Sequence, residues 1–261
     1  RAAVLDGAAD PNESSLDSAF SQAVGFEHSL NAFLADCSAT ADCAFHSDGD
    51  AAGAFGTLAD AVDEHPLNVG TREVTSGTMA TAVADALYSQ DRWPELATAL
   101  ADARDGDASG LLRLYDEYFQ KNPDGSYGNE IEAMLGTVCV DDPGPKTVEG
   151  ITAEAPRFEQ AAPYFGDFLL YSFQCMDWPA PPAPPVKVTG AGAGPIVVVG
   201  TTGDPATPLD STRKMAAALE QGVLVVVDAE QHTAYGLNEC INGLVDRYLV
   251  DLAVPPADST C

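Results

Sequence analysis

Apolar positions recur along this chain in two different rhythms. From Leu16 to about Tyr171 the spacing is helical. Leu16, Phe20, Val24, Leu30, Phe33 and Leu34 follow Ser14 and Ser15, whose hydroxyls suit a helix cap. The same period predicts helices over about 51–64, 76–88, 93–104, 108–120, 129–138 and 147–161, with "KNPDGSYGN" as a turn between two of them. No strand alternation and no internal repeat is read in this region.

At both ends of the chain the pattern differs. "RAAVLDGAADP" reads as a short buried strand over 2–5 followed by a loop. After the connector "WPAPPAPPVKVTGAGAG", extended by its prolines and loosened by its glycines, comes the β-branched run 196–199. A continuous apolar run suits a strand buried on both faces of a parallel sheet. Residues 209–220 read as a helix with Met215, Ala216 and Leu219 inward. A second buried strand follows at 223–227. A last helix over 238–251 is carried by Ile241, Leu244, Val245, Tyr248 and Leu249. Strand–helix–strand–helix predicts a right-handed βαβ crossover and an α/β fold.

That order gives meaning to two polar residues. Asp204 lies in "GTTGDPATP" just past the first of these strands, and His232 lies in "EQHTAY" just past the second. In open parallel sheets functional groups gather at the carboxyl ends of the strands, so both fall on one edge. An acid there can accept the Nδ1–H of the imidazole and leave the other nitrogen to act as a general base. Gly200 and Gly203 would let the loop turn, Pro205 and Pro208 would stiffen it, and Thr207 could support the carboxylate from behind. Taken alone, an aspartate in a Gly/Pro loop is as readily a loop cap; the joint placement is what singles the pair out.

Composition narrows the function classes. Forty acids against twelve bases give a net charge of −28, which argues against nucleic acid or an anionic membrane as partner. A solvated acidic surface, a salt-adapted source and an attraction for cationic substrates all fit that charge. At 261 residues and 46% apolar content the chain is globular, and no apolar run approaches the ~20 residues of a membrane span. No signal peptide is visible at Arg1, and the chain is taken to begin after processing. Six cysteines without a CxxC pair or a suitably spaced histidine argue against metal, and no cofactor is expected. Cys37 and Cys43 flank the polar turn "CSATADC", and Cys240 and Cys261 bracket the last helix and tail. Both placements favour disulfides, and disulfides imply export.

These residues carry a resemblance. "GDPATP" after a strand, "EQHTAY" after the next, then Cys240, "VDRYLVDLAVP" and Cys261 resemble the C-terminal segment of α/β-hydrolases of the tripeptidyl aminopeptidase-like (TAP-like) family of secreted serine exopeptidases. "RAAVLDGAADP" is similar to the strand and loop after that family's nucleophile helix. "PDGSYGNEIEAMLGTVCVDDP" and "FQCMDWP" are similar to its helical cap. The resemblance implies an α/β-hydrolase core at 1–15 and 186–261, a helical cap with its proline-rich connector at 16–185, and hinges near Pro11 and within 179–195. It also implies that Asp204 and His232 are the acid and base of a Ser–Asp–His triad.

The family's G-x-S-x-G elbow is not found. None of Ser76 in "VTSGT", Ser109 in "DASGL" and Ser126 in "DGSYG" has glycines at both required positions. The expectation is therefore the acid/base part of a longer extracytoplasmic enzyme, secreted or in the cell envelope. Its nucleophilic serine would come from an N-terminal segment or chain, and its substrate would be a peptide. For an enzyme acting on free amino termini, cap acids should receive the ammonium; Glu130, Glu132 and Asp141 are the candidates. An esterase with the same triad and a non-catalytic binding module on the same fold stand as alternatives. The disulfides expected are Cys37–Cys43, Cys139–Cys175 and Cys240–Cys261.

Overall fold

A computed structural model describes residues 1–142, 144–145, 147–172, 175–176, 178–179 and 186–261. Most of the proline run of the expected connector, 180–185, and parts of "FQCMDWP" lie outside the described residues. The chain divides into two compact units, residues 1–26 with 137–261, and residues 27–136. The helical segment expected over 16–185 is shared between them.

The first unit is built on a parallel sheet. Strand β1 is Ala3–Asp6, and helix α1, Ser15–Ala39, starts in this unit and continues into the other. Ser14 opens that helix. Its Oγ accepts the N–H of Asp17 at 3.1 Å and donates to the Asp17 carboxylate at 2.8 Å. Along α1, Phe33, Leu34 and Leu30 are buried, whereas Val24, expected inward, is 38% exposed. Ala23 and Gly25 are buried in the same turn of α1. A Cβ on Gly25 would come 2.8 Å from the ring of Pro208, so the close approach here is made by small residues and not by valine.

The second unit holds α2 (Ala51–Glu64), β2 (Leu67–Val69), β3 (Arg72–Val74), α3 (Ser76–Leu87), α4 (Trp93–Arg104) and α5 (Ser109–Tyr118). The hairpin of β2 and β3 corrects the expectation of a wholly helical segment. It is antiparallel, with Val69 opposite Arg72, and turns at Gly70, whose φ of +62° a residue with a side chain adopts only at a cost. Three-residue strands are too short to display an alternation. The helices pack through Leu87, Leu96, Leu100, Leu111 and Leu114, all fully buried. Arg92 then joins α3, α4 and α5 by pairing with Asp85, Glu95 and Glu117.

Helix α6, Glu130–Asp141, leads back into the first unit. There α7 (Val148–Thr152), α8 (Ala155–Ala161) and α9 (Gly166–Ser172) follow. The single helix expected over 147–161 is two, because Pro156 has no N–H to donate and its ring would clash with the carbonyl of Thr152. Phe20 stacks edge-on against Phe158, with the Arg157 guanidinium 4.0 Å from the Phe20 ring.

Strand β4 (Ile196–Thr201), helix α10 (Leu209–Ala218), strand β5 (Gly222–Val227), helix α11 (Glu239–Asp251) and the short β6 (Ser259–Thr260) complete the chain. The sheet runs β1-β4-β5-β6, all parallel, with Ala3 beside Ile196 and Val199 beside Val225. Val197, Val199, Val225 and Val227 face Ile241, Val245 and Tyr248 of α11 and are fully buried. Val198 points to the opposite face and is equally buried. Leu249, expected inward, is 44% exposed at the far side of α11. This is the parallel α/β architecture of an α/β-hydrolase, and it brings the ends of β1, β4 and β5 together.

The three disulfides join Cys37 to Cys43, Cys139 to Cys175 and Cys240 to Cys261. The last ties the start of α11 to the tail, where the Cys261 N–H donates to the carbonyl of Val226 at 2.9 Å.

Candidate active site

Asp204 leaves the end of β4 in a loop that binds its own carboxylate. The N–H groups of Ala206 and Thr207 donate to Oδ1 at 3.0 and 2.8 Å, and the Thr207 hydroxyl donates to Oδ2 at 3.1 Å. These bonds fix the side chain, which has no exposed surface. Asp204 therefore caps its own loop. Gly200 and Gly203, expected as turn glycines, have no positive φ. They matter as space: a side chain at 200 would meet Thr212 at 2.8 Å, and one at 203 would overlap the Glu230 carboxylate.

His232 leaves the end of β5. Its Nδ1 lies 2.9 and 3.0 Å from the two oxygens of Asp204, and its side chain is 27% exposed. An aspartate already taking four other hydrogen bonds, the fourth from the Thr233 N–H at 3.4 Å, is an acceptor, so Nδ1 carries the proton and Nε2 the lone pair in the neutral ring. Thr207 Oγ1 is also 3.3 Å from Nδ1, against the same edge of the pair.

The loop carrying the histidine is held from a third strand. Asp6, the last residue of β1, accepts the N–H of Ala234 with both oxygens at 3.0 Å and the N–H of Tyr235 at 2.8 Å. Between them and His232, Thr233 has φ of +65°, which is unusual for a β-branched residue and costs of order 1–3 kcal/mol. Gly7, at φ +68°, lies so close that a Cβ there would be 2.9 Å from His232 Cε1. The sequence reading missed Asp6, Gly7 and Thr233. The signal was available: "LDG" also closes a parallel strand on the same sheet edge.

The other candidates lie elsewhere. Glu130 and Glu132 fall in the second unit and Asp141 in the first, all exposed on α6. The two glutamates line a cavity of about 320 Å³ with Tyr115, Tyr118, Phe119 and Tyr127. Burial pushes the Tyr118 phenol above its ordinary pKa. Among the described residues no group of histidine, cysteine and acidic side chains is arranged to hold a metal ion, and no helix is long and apolar enough to cross a membrane.

Comparison with known proteins fits this geometry. Residues 162–261 match the family described as TAP-like protein. The whole chain is 35% identical over 270 residues to carboxylesterase B of Mycobacterium tuberculosis, covering 52% of that protein. It is 32% identical over 278 residues to serine protease Hip1 of the same organism, covering 53% of it. Over 90 residues, a third of this chain and 17% of the relative, it is 34% identical to tripeptidyl aminopeptidase of Streptomyces coelicolor. The chain spans about half the length of the first two relatives.

Proposed function

We propose that this chain, whose residues 162–261 match the TAP-like family, supplies the acid and base of an extracytoplasmic serine exopeptidase. The observation that carries the reading is the 2.9 Å hydrogen bond between Asp204 and His232, made across the ends of two neighbouring parallel strands. Asp204 fixes the tautomer and stabilises the imidazolium as it forms. His232 Nε2 removes the proton from a serine hydroxyl carried by polypeptide outside residues 1–261. The serine oxygen bonds to the substrate carbonyl carbon, and His232 then gives its proton to the leaving amine as the C–N bond breaks. Water deprotonated by the same nitrogen hydrolyses the acyl-enzyme ester. The three disulfides support an oxidising compartment.

Peptide substrates with a free amino terminus bring an ammonium, and Glu130 and Glu132, in a cavity walled by aromatic rings, are the proposed receiving groups. Hydrolysis of simple acyl esters by the same pair is the second reading, favoured by the likeness to a carboxylesterase. The test is a substrate panel on the full-length protein: aminoacyl and tripeptidyl chromogenic amides, their N-acetylated forms, and short acyl esters, each with a fluorophosphonate label for the serine. Cleavage of unblocked amides, abolished by the label and by His232→Ala, is the expected result. Turnover of esters alone would replace the peptidase by the esterase. Neither turnover nor labelling would leave a binding module.

A further inference from the structure

We propose that Asp6 is a positioning residue for His232, working together with the bare backbone of Gly7; the proposal rests on the reading of Asp204 and His232 as acid and base. The sheet order is β1-β4-β5, so Asp6 at the end of β1 reaches past β4 to the loop that follows β5. Gly7 N–H donates to the carbonyl of Val199 at 3.0 Å, which fixes the end of β1 against β4. From there the Asp6 carboxylate takes the N–H groups of Ala234 and Tyr235, two and three residues past the histidine. Ala234 is fully buried, so its N–H has no water to turn to if the carboxylate is removed.

The histidine loop is therefore held between two carboxylates. Asp204 takes the His232 ring and, at 3.4 Å, the Thr233 N–H; Asp6 takes the next two N–H groups. Thr233 stands between the two anchors in the left-handed region at φ +65°, and it keeps that conformation only while both ends are tied. Ala234 N–H lies between both carboxylate oxygens, and Tyr235 N–H donates to Oδ2 as well. An amide keeps one of those oxygens and turns an NH₂ toward the Ala234 N–H.

Gly7 completes the cradle. A Cβ at this position would come 2.9 Å from Cε1 of His232, 3.1 Å from Cγ2 of Thr233 and 3.2 Å from Oγ1 of Thr207. Cε1 lies between the two ring nitrogens. Any side chain at residue 7 therefore moves Nδ1 off Asp204 and Nε2 off the serine together.

The test uses the full-length protein with ¹⁵N-labelled histidine. Asp6→Asn, Asp6→Ala and Gly7→Ala are each expected to lower kcat at least 30-fold with KM within threefold, and to weaken or abolish the downfield Nδ1–H proton of His232. Asp246→Ala is the control: it removes the partner of the Tyr235 hydroxyl, at 2.8 Å, and leaves the backbone clamp. It should keep kcat within twofold. Near-normal kcat with an intact Nδ1–H signal in folded Asp6 variants would overturn the proposal. Should those variants not fold, Gly7→Ala decides by the same two readouts. If His232→Ala left hydrolysis unchanged, the acid–base reading itself would fall, and the Nδ1–H signal alone would judge the role of Asp6.

Discussion

Oδ1 of Asp204 and Nδ1 of His232 are 2.9 Å apart, each on a loop leaving one of two adjacent parallel strands. Because the strands are in register, Val199 beside Val225, the two loops start level, and a short reach closes the gap. The pair is the product of the sheet, and its chemistry should be separable from the stability of the sheet.

On the proposed triad, His232→Ala in the full-length protein should lower kcat by several orders of magnitude, since the serine would lose its base. Asp204→Asn should be comparably severe, because an amide can hold the wrong tautomer. Asp204 is buried and takes the loop N–H groups of Ala206 and Thr207, so this variant should also lose some thermal stability, while His232→Ala should not. His28, His46 and His65 are the controls. Their alanine variants should stay within about tenfold, ~1.4 kcal/mol in the barrier. Steady-state kinetics with melting curves on the five proteins checks both statements; wild-type turnover by His232→Ala would reject the triad.

Thr207→Val keeps the volume of the side chain and deletes its hydroxyl, which donates to Asp204 at 3.1 Å. Losing one hydrogen bond behind the acid is worth about 1–2 kcal/mol, so kcat should drop roughly 5- to 30-fold with little change in KM. Thr207→Ser, which retains the hydroxyl, should recover most of the loss. Equal activity of the valine and serine variants would remove Thr207 from the site.

How much of this was readable in the sequence depended on the range of the interactions. The strands at 196–199 and 223–227 were legible because a buried parallel strand writes itself as an unbroken β-branched run, and the strand-end rule then gave Asp204, His232 and Thr207. Val24 and Leu249 were misplaced because helical spacing says which residues share a face but not how wide the buried stripe is. The hairpin around Gly70 was too short to carry a period. Asp6 was hidden for another reason: its partners are the backbone of Ala234 and Tyr235, and a backbone contact leaves no mark on the residue types that make it. Arg92, with three acidic partners from three elements, was likewise invisible as one charge among many.

The glutamate cavity makes a kinetic prediction. Glu130→Gln and Glu132→Gln should raise KM about tenfold or more for peptides with a free amino terminus, leave kcat nearly unchanged, and not affect N-acetylated peptides or esters. Replacing Tyr127, which lines the same cavity, by Leu should act in the same direction with a smaller effect. An equal rise in KM for blocked and free peptides would mean a change of cavity shape, and no rise would place ammonium recognition elsewhere.

Reduction should act first through the tail. Cys240 and Cys261 close a loop with a sequence separation of 21, and opening it costs about 3 kcal/mol in the chain-entropy model. The Cys240→Ala, Cys261→Ala double variant should therefore melt roughly 6–12 °C lower. Cys261 also continues the pairing of β6 with β5 through its N–H, so hydrogen exchange at Val225 and Val226 should speed up in that variant. A melting point unchanged within 2 °C, a margin of about 1 kcal/mol or less, would mean that the hydrogen bonds alone hold the tail.

Acid should weaken the second unit through one carboxylate. Arg72 on β3 grips Asp116 on α5 with two hydrogen bonds, at 2.6 and 2.7 Å, and Lys121 adds a third at 3.0 Å. The Arg72 hydrogen bonds are the main cause holding the Asp116 carboxyl below the ordinary carboxylate range. A group whose folded pKa is depressed stabilises the fold above its unfolded pKa, near 4, and that contribution is lost as pH falls through the folded value. The pair is a quarter to a third exposed, so water and salt screen it and the contribution is about 1 kcal/mol. Asp116→Asn should accordingly lower stability by about that amount at pH 7, and the gap between variant and parent should close steadily below pH 4. Raising the salt concentration to 1 M should narrow the gap at pH 7 as well. Urea titrations at pH 7, 5, 4 and 3 measure it directly; a gap that is the same at pH 3 as at pH 7 would show that Asp116 contributes by packing and not by charge.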